Sequence, residues 1–198
     1  MMLLNYSEAC ARNQQPILAQ LKRLLDTPAK VLEIGSGSGQ HALFFTEQLP
    51  HLHWQPSEIA EGLSPLLHNL AFATHNRIHA PLALDVMADW PSTGFDAAYS
   101  ANTLHIIGEP EVEAFFTGVG KVLNTGGKLL VYGPFRYQNT YTSPSNAQFD
   151  LWLKARDPKS GIRDFEWVNA LAAQNGLALV EDITMPANNQ LLVWQATA

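Results

Sequence analysis

The sequence has one cysteine, Cys10, in 198 residues, which excludes an intrachain disulfide and a zinc site built on several thiolates. Cations are also scarce. Twelve Lys and Arg against 18 Asp and Glu give a formal net charge of −6, and such a chain lacks the clustered basic side chains that track a phosphate backbone. Nucleic acid is therefore not an expected partner. No apolar run reaches the roughly 18 residues of a membrane span, and MMLLNYSEACARNQQP has no basic segment leading into a sustained apolar one. The expected place is the cytoplasm, with no membrane contact. Gly126-Gly127-Lys128 runs straight into Leu129, so there is no G-x-x-x-x-G-K-[ST] phosphate loop. His51 and His53 stand without a third ligand at metal-site spacing, and no metal is expected. Gly35 to Gly39 contains the letters G-x-S-x-G, but Asp and His partners in hydrolase order are not evident.

What is present is an alternation of strand and helix patterns in a chain of one-domain size, 46% hydrophobic. One domain over 1–198 is expected, opening with a helical segment, 1–28. Ile17, Leu18, Leu21, Leu24 and Leu25 fall at helical spacing there, with a break or fresh first turn at Pro16. Strands are expected at Lys30–Ile34, Leu52–Gln55, Ala80–Leu84, Phe95–Ser100 and along GGKLLVYGPF. Helices are expected between them at Gln40–Gln48, Gly62–Thr74 and Glu109–Leu123. Alternation of this kind gives a mostly parallel sheet with helices on both faces. The rhythm then breaks in a polar insert, 137–158, with a helix over Asn146–Ala155, and another follows at Asp164–Asn175, ended by Gly176. LALVEDITM and QLLVWQA are joined by PANNQ, too short for a crossover helix, so they pair antiparallel.

The stretch VLEIGSGSGQ places Gly35, Gly37 and Gly39 on alternate positions behind a short apolar strand. A strand, a glycine turn and a helix aim backbone N–H groups and a helix N-terminus at one point on the carboxyl edge of the sheet. A nucleotide-like ligand suits that point; a tight turn needing positive φ usually asks for one glycine rather than three. The dinucleotide pattern G-x-G-x-x-G/A from Gly35 requires a small residue where Gln40 stands. Glu58 follows the second strand, where an acid can accept from both hydroxyls of a ribose.

EIGSGSGQ with Glu33, WQPSE with Glu58, LALDV with Asp85, FDAAYSANTLHI, GGKLLVYGPF and the closing strand pair together resemble class I S-adenosylmethionine-dependent methyltransferases over nearly the whole chain. RNQQPIL, ANTLHI, YGPFR, TSPSNAQFD, GIRDFEWV and MPANNQLLVW resemble the methyltransferase-like protein 26 group within that superfamily. Many of its members carry Ala-Ser-Gly-Thr-Gly where this chain has Gly35-Ser36-Gly37-Ser38-Gly39, a change that keeps the residues small. The resemblance implies a Rossmann-like α/β fold, a mostly parallel seven-stranded sheet with an antiparallel C-terminal pair, and S-adenosyl-L-methionine as cofactor. It implies that Glu33 faces the cofactor's ammonium and that its methionine and ribose lie on Gly35, Ser36, Gly37 and Gly39. Glu58 would take the ribose diol, Asp85 the adenine amino group and Val86 the ring face, and Asn102 would sit under the sulfonium.

Methyl transfer requires an acceptor held in line and, where the acceptor is protonated, a base. His105, three residues past Asn102 and titrating near neutral pH in its ordinary state, is the candidate base. Tyr132 and Arg136 flank the end of the fifth strand and would line the acceptor site, with Arg136 able to hold an acid bidentately. Arg12, Asn13, Asn146, Asp150, Asn188 and Asn189 are candidates to close it. The insert reads as an acceptor lid, its polar side chains toward the pocket and Phe149, Leu151 and Trp152 competing for the packed side. No Asn/Asp-Pro-Pro-Tyr/Phe signature is present, which disfavours planar exocyclic amines and leaves a small polar or acidic molecule as the expected acceptor. Two rivals stand beside this reading. One is an NAD(P)-binding reductase, opposed by Gln40 and the antiparallel final pair; the other is a cofactor-binding module that acts through a protein partner without catalysis.

Overall fold

A computed structural model describes residues 2–92 and 94–197; Met1, Thr93 and Ala198, which the expected domain includes, lie outside the described residues. Four parallel strands form the middle of a sheet: β1 (Ala29–Ile34), β2 (Leu52–Glu58), β4 (Phe95–Ala101) and β5 (Leu123–Gly133). The two-residue β3 (Leu82–Ala83) pairs with the end of β2, while β9 (Leu177–Met185) and β10 (Asn189–Ala196) complete the opposite side. The order is β3-β2-β1-β4-β5-β10-β9, and β10 runs antiparallel to both neighbours. This is the expected seven-stranded, mostly parallel sheet with an antiparallel C-terminal pair. Its hairpin turns on Ala187 and Asn188, both at positive φ (59° and 56°).

Period-two side chains divide the interior between two faces. Val31, Tyr99, Leu130 and Val193 face α1 (Glu8–Leu24) and α2 (Gln40–Gln48) in one buried cluster. Leu32, Ala98, Leu129 and Trp194, their neighbours along the same strands, face α4 (Glu109–Val122) and α6 (Phe165–Gln174) in the other. A short helix, α3 (Leu63–Leu70), follows a 3₁₀ turn at Ala60–Gly62.

Two expectations change. Pro16 does not break the first helix, which runs through it as one element, capped by the Ser7 hydroxyl accepting from the Cys10 N–H. Its buried stripe, Ile17, Leu18, Leu21 and Leu24, offsets the roughly 3 kcal/mol an internal proline costs. The insert is also more ordered than a polar loop. β6 (Phe135–Tyr137) and β7 (Thr140–Tyr141) form a hairpin, with Gln138 and Asn139 at positive φ, before α5 (Pro144–Arg156). β8 (Arg163–Asp164) then pairs parallel with β6 in a small second sheet. Among the described residues, no helix is long and apolar enough to cross a membrane.

Candidate functional site

The strand order reverses direction between β1 and β4, which opens a crevice at their carboxyl ends. The glycine turn enters it directly from β1. Gly35, Gly37 and Gly39 all have positive φ (74°, 54° and 73°), so the turn itself requires three glycines, where the sequence suggested that one suffices. Their surroundings differ. A Cβ on Gly35 would meet Thr103 Oγ1 at 2.8 Å and one on Gly39 would meet Leu66 Cδ1 at 2.8 Å, whereas one on Gly37 would have nothing within 4 Å. Gly37 therefore faces open space. Its N–H donates to Glu58 Oε2 (2.7 Å), and Glu58 Oε1 accepts from the Ile59 N–H (2.9 Å), which fixes the acid at the end of β2 against the turn.

Three cavities meet at Asn102. The largest, about 610 Å³, is lined by Glu33, the Gly35–Ser38 turn, His41, Glu58, Asn102 and His105, with Cys10, Phe149, Trp152 and Arg156 at its walls. A second, about 410 Å³, continues past Glu58 to Ile59, Asp85, Val86 and Ile106. The third, about 260 Å³, lies between α1 and the β9–β10 turn and is lined by Arg12, Asn13, Tyr132 and Asn189 among others. Asn102 borders all three from the end of β4 in the left-handed conformation (φ 58°), its N–H donating to the Tyr132 carbonyl (2.8 Å). A non-glycine residue held in that region marks a position the surrounding structure overrides.

The charges of the site are set by burial. Glu33 is 2% exposed at the end of β1, and desolvation raises its pKa to about 7 against hydrogen bonds from Trp54 Nε1 (3.0 Å) and Ser36, with Glu58 repelling it further. Among the described residues it forms no ion pair. His105 does not titrate near neutrality as its type suggested: burial, with the Arg163 and Arg156 guanidinium groups nearby, lowers it to about 4. Its ring packs edge-on to Phe149, with centroids 5.5 Å apart. His105 is thus a neutral ring throughout the physiological range.

Most of the expected site residues do converge: Glu33, Gly35, Ser36, Gly37, Glu58, Asn102 and His105 share the first cavity, Asp85 and Val86 the second, and Tyr132 the third. Gly39 lies one step back, as the N-terminal cap of α2. Arg136 is corrected. It lies on β6 of the small sheet, where Asp164 takes both arms of its guanidinium (Nε–Oδ1 3.0 Å, Nη2–Oδ2 2.6 Å), so it has no free fork for an acceptor. Asn146 and Asp150 are corrected as well. Asn146 Nδ2 donates to Thr142 and to the Asn188 carbonyl, and Asp150 accepts from Tyr141, Lys154 and the Ile162 N–H. These are the fastenings of α5, and its aromatic side chains Phe149 and Trp152 line the cleft, the reverse of the expected arrangement. Leu151 is exposed.

Sequence reasoning missed His41 and the function of Gln40. Gln40 accepts from the Ser7 N–H (2.6 Å) and donates to the Ser7 carbonyl (3.2 Å), while Asn69 bonds both backbone groups of Leu4 and the Ser38 carbonyl. Together they strap the start of the chain over the glycine turn. Two polar side chains opening a helix directly after such a turn were the available signal.

Solved structures share this architecture. Human N-acetylserotonin methyltransferase in complex with SAM superposes with a TM-score of 0.82 at 16% identity, covering 96% of this chain and 53% of that one. An O-methyltransferase family protein from Burkholderia thailandensis gives 0.83 at 16%, covering 96% and 58%, and the S-adenosylmethionine-dependent methyltransferase SibL in its apo form gives 0.81 at 19%, covering 96% and 56%. The chain spans little more than half the length of these proteins, and at such identities the likeness shows the fold, that of class I methyltransferases. A family model described as a protein of unknown function, DUF938, matches residues 4–196, and the chain belongs to that family.

Proposed function

We propose that the chain is an S-adenosylmethionine-dependent methyltransferase acting on a small polar acceptor, built as one domain and related to the methyltransferase-like protein 26 group that its motifs resemble. The observation that carries this reading is the meeting of two cavities around Glu58, with the buried acid Glu33 in one and the apolar, acid-tipped pocket of Val86 and Asp85 in the other. The donor set suits the cofactor. A buried carboxylate raised to about 7 gains most from a cation, and the cofactor's ammonium is one. Glu58 stands between the cavities, where a ribose diol joins an amino-acid arm to a base. Ile59, Val86 and Ile106 offer apolar surface to a purine, with Asp85 at its edge. The open space in front of Gly37 admits the ligand against the backbone.

Bound S-adenosylmethionine would supply a methyl group on a sulfonium. Asn102, which borders both the first and the third cavity, would position the acceptor against that methyl group, and a proton on the acceptor would leave to water. His105, neutral and lowered to about 4, is a weak proton acceptor; its part is to hydrogen-bond the acceptor beside Asn102. The reading favours acceptors that arrive deprotonated.

Titration calorimetry with S-adenosylmethionine, S-adenosylhomocysteine and NADH tests the cofactor. The first two should bind and NADH should not. Glu58→Ala should weaken binding by about 1.5–3 kcal/mol, the scale of hydrogen bonds to a charged group. A preference for NADH would overturn the reading. Turnover against a metabolite pool separates an enzyme from a binding module.

A further inference from the structure

The third cavity, beyond Asn102 from Glu33, has no occupant in the cofactor reading, on which this inference rests. At about 260 Å³ it suits a molecule of amino-acid size and not a polymer. Its chemistry is opposite to that of its neighbours. Glu33, Glu58, Asp85 and Glu111 line the two cofactor cavities, whereas the ionisable groups of the third are Arg12 and Tyr132. Among the described residues Arg12 forms no ion pair.

A buried chain of hydrogen bonds sets the polarity of the wall. Tyr99 Oη lies 3.1 Å from His41 Nδ1, and His41 Nε2 lies 2.7 Å from Asn13 Oδ1. If the phenol gives its proton to Nδ1, the neutral ring carries its own proton on Nε2 and donates it to Asn13, which turns the Asn13 amide nitrogen away from His41. Burial pushes the Tyr132 phenol up, so the hydroxyl keeps its proton to give. The wall therefore presents a guanidinium and a hydroxyl donor, with no carboxylate to compete for them.

We propose that this cavity is the acceptor subsite and takes a small carboxylate, held by Arg12 and the Tyr132 hydroxyl beside Asn102. The anchoring charge that sequence assigned to Arg136 thus falls to Arg12, because Asp164 already occupies Arg136.

The test is ligand-observed NMR on the full chain, with and without S-adenosylhomocysteine, using lactate, malonate, glutarate and benzoate, each against its carboxamide. At least one acid should bind where its amide does not. Arg12→Gln should weaken it about tenfold or more and Tyr132→Phe about threefold or more, with S-adenosylhomocysteine affinity within about twofold of the wild type. Arg156→Gln, a cation in the neighbouring cleft, should leave acid binding unchanged. Equal binding of acids and amides, equal losses in Arg12→Gln and Arg156→Gln, or no acid bound at all would overturn the proposal. A chain that binds the acids through Arg12 but neither form of the cofactor keeps the subsite and overturns the methyltransferase reading.

Discussion

Glu33 and Gly37 show how single residues trade stability for a site. An acid raised from 4.5 to about 7 holds its proton in the folded state where the unfolded chain has released it, so stability falls as pH rises across that window. Glu33→Gln should remove the penalty and stabilise the ligand-free chain by something on the order of 3 kcal/mol at pH 8, with little effect at pH 4. The same change should weaken cofactor binding. Thermal melts at the two pH values and calorimetry at pH 8 read both; a variant no more stable than wild type at pH 8 would show that Glu33 carries no burial penalty. Gly37→Ala adds a methyl to open space in a left-handed turn, costing about 1–2 kcal/mol of stability. It should also weaken S-adenosylhomocysteine binding about tenfold or more, a loss comparable to that cost. Gly39→Ala, with Leu66 2.8 Å from the new carbon, should destabilise more, by about 2–4 kcal/mol. An equal loss of stability in both would remove the distinction between ligand-facing and packed glycines.

The helix α5 shows what a sequence pattern leaves undecided about an element. Its extent was legible to within two residues: the helical run suggested Asn146–Ala155, and the helix in fact starts at Pro144, capped by Ser143, where the sequence read a turn. Which face it buries was not. Phe149, Leu151 and Trp152 are the larger apolar groups, yet the buried residues are Asn146, Asp150 and Leu153, because neighbours outside the helix satisfy the polar pair. Asp150 is 1% exposed; burial alone would raise its pKa, but hydrogen bonds from Lys154, Tyr141 and the Ile162 N–H hold it below 3.8. Its contribution is present above the unfolded pKa and lost as pH falls below it. Asp150→Ala should cost about 2–3 kcal/mol by leaving those donors unpaired, with the loss shrinking in acid. Thermal melts at pH 7 and pH 3 check this, and an equal loss at both would mean the carboxylate's charge is not what α5 uses.

At the scale of the molecule, the start of the chain is as much a part of the site as the sheet edge. Residues before and along α1 wall two of the three cavities, and the amides of Gln40 and Asn69 hold them over the glycine turn. Asn69→Ala deletes both bonds to Leu4 and the one to Ser38. Amide exchange over residues 3–10 should then quicken by about tenfold, and S-adenosylhomocysteine should slow it in the wild type. Unchanged exchange in the variant would mean that Gln40 and α1 packing hold the strap without Asn69.

The sequence by itself determined the sheet, the antiparallel closing pair and the sheet edge at which the glycine turn opens. Those depend on local period, on loop lengths too short for other connections, and on a run of glycines directly behind a strand. Tertiary structure decided the rest: that Arg136 meets Asp164 while Arg12 forms no ion pair among the described residues, that burial lowers the pKa of His105, and that α5 turns its aromatic side chains toward the cleft. Each of these depends on which distant groups supply hydrogen bonds or remove water, and sequence spacing does not encode which charges and donors become neighbours across a folded chain.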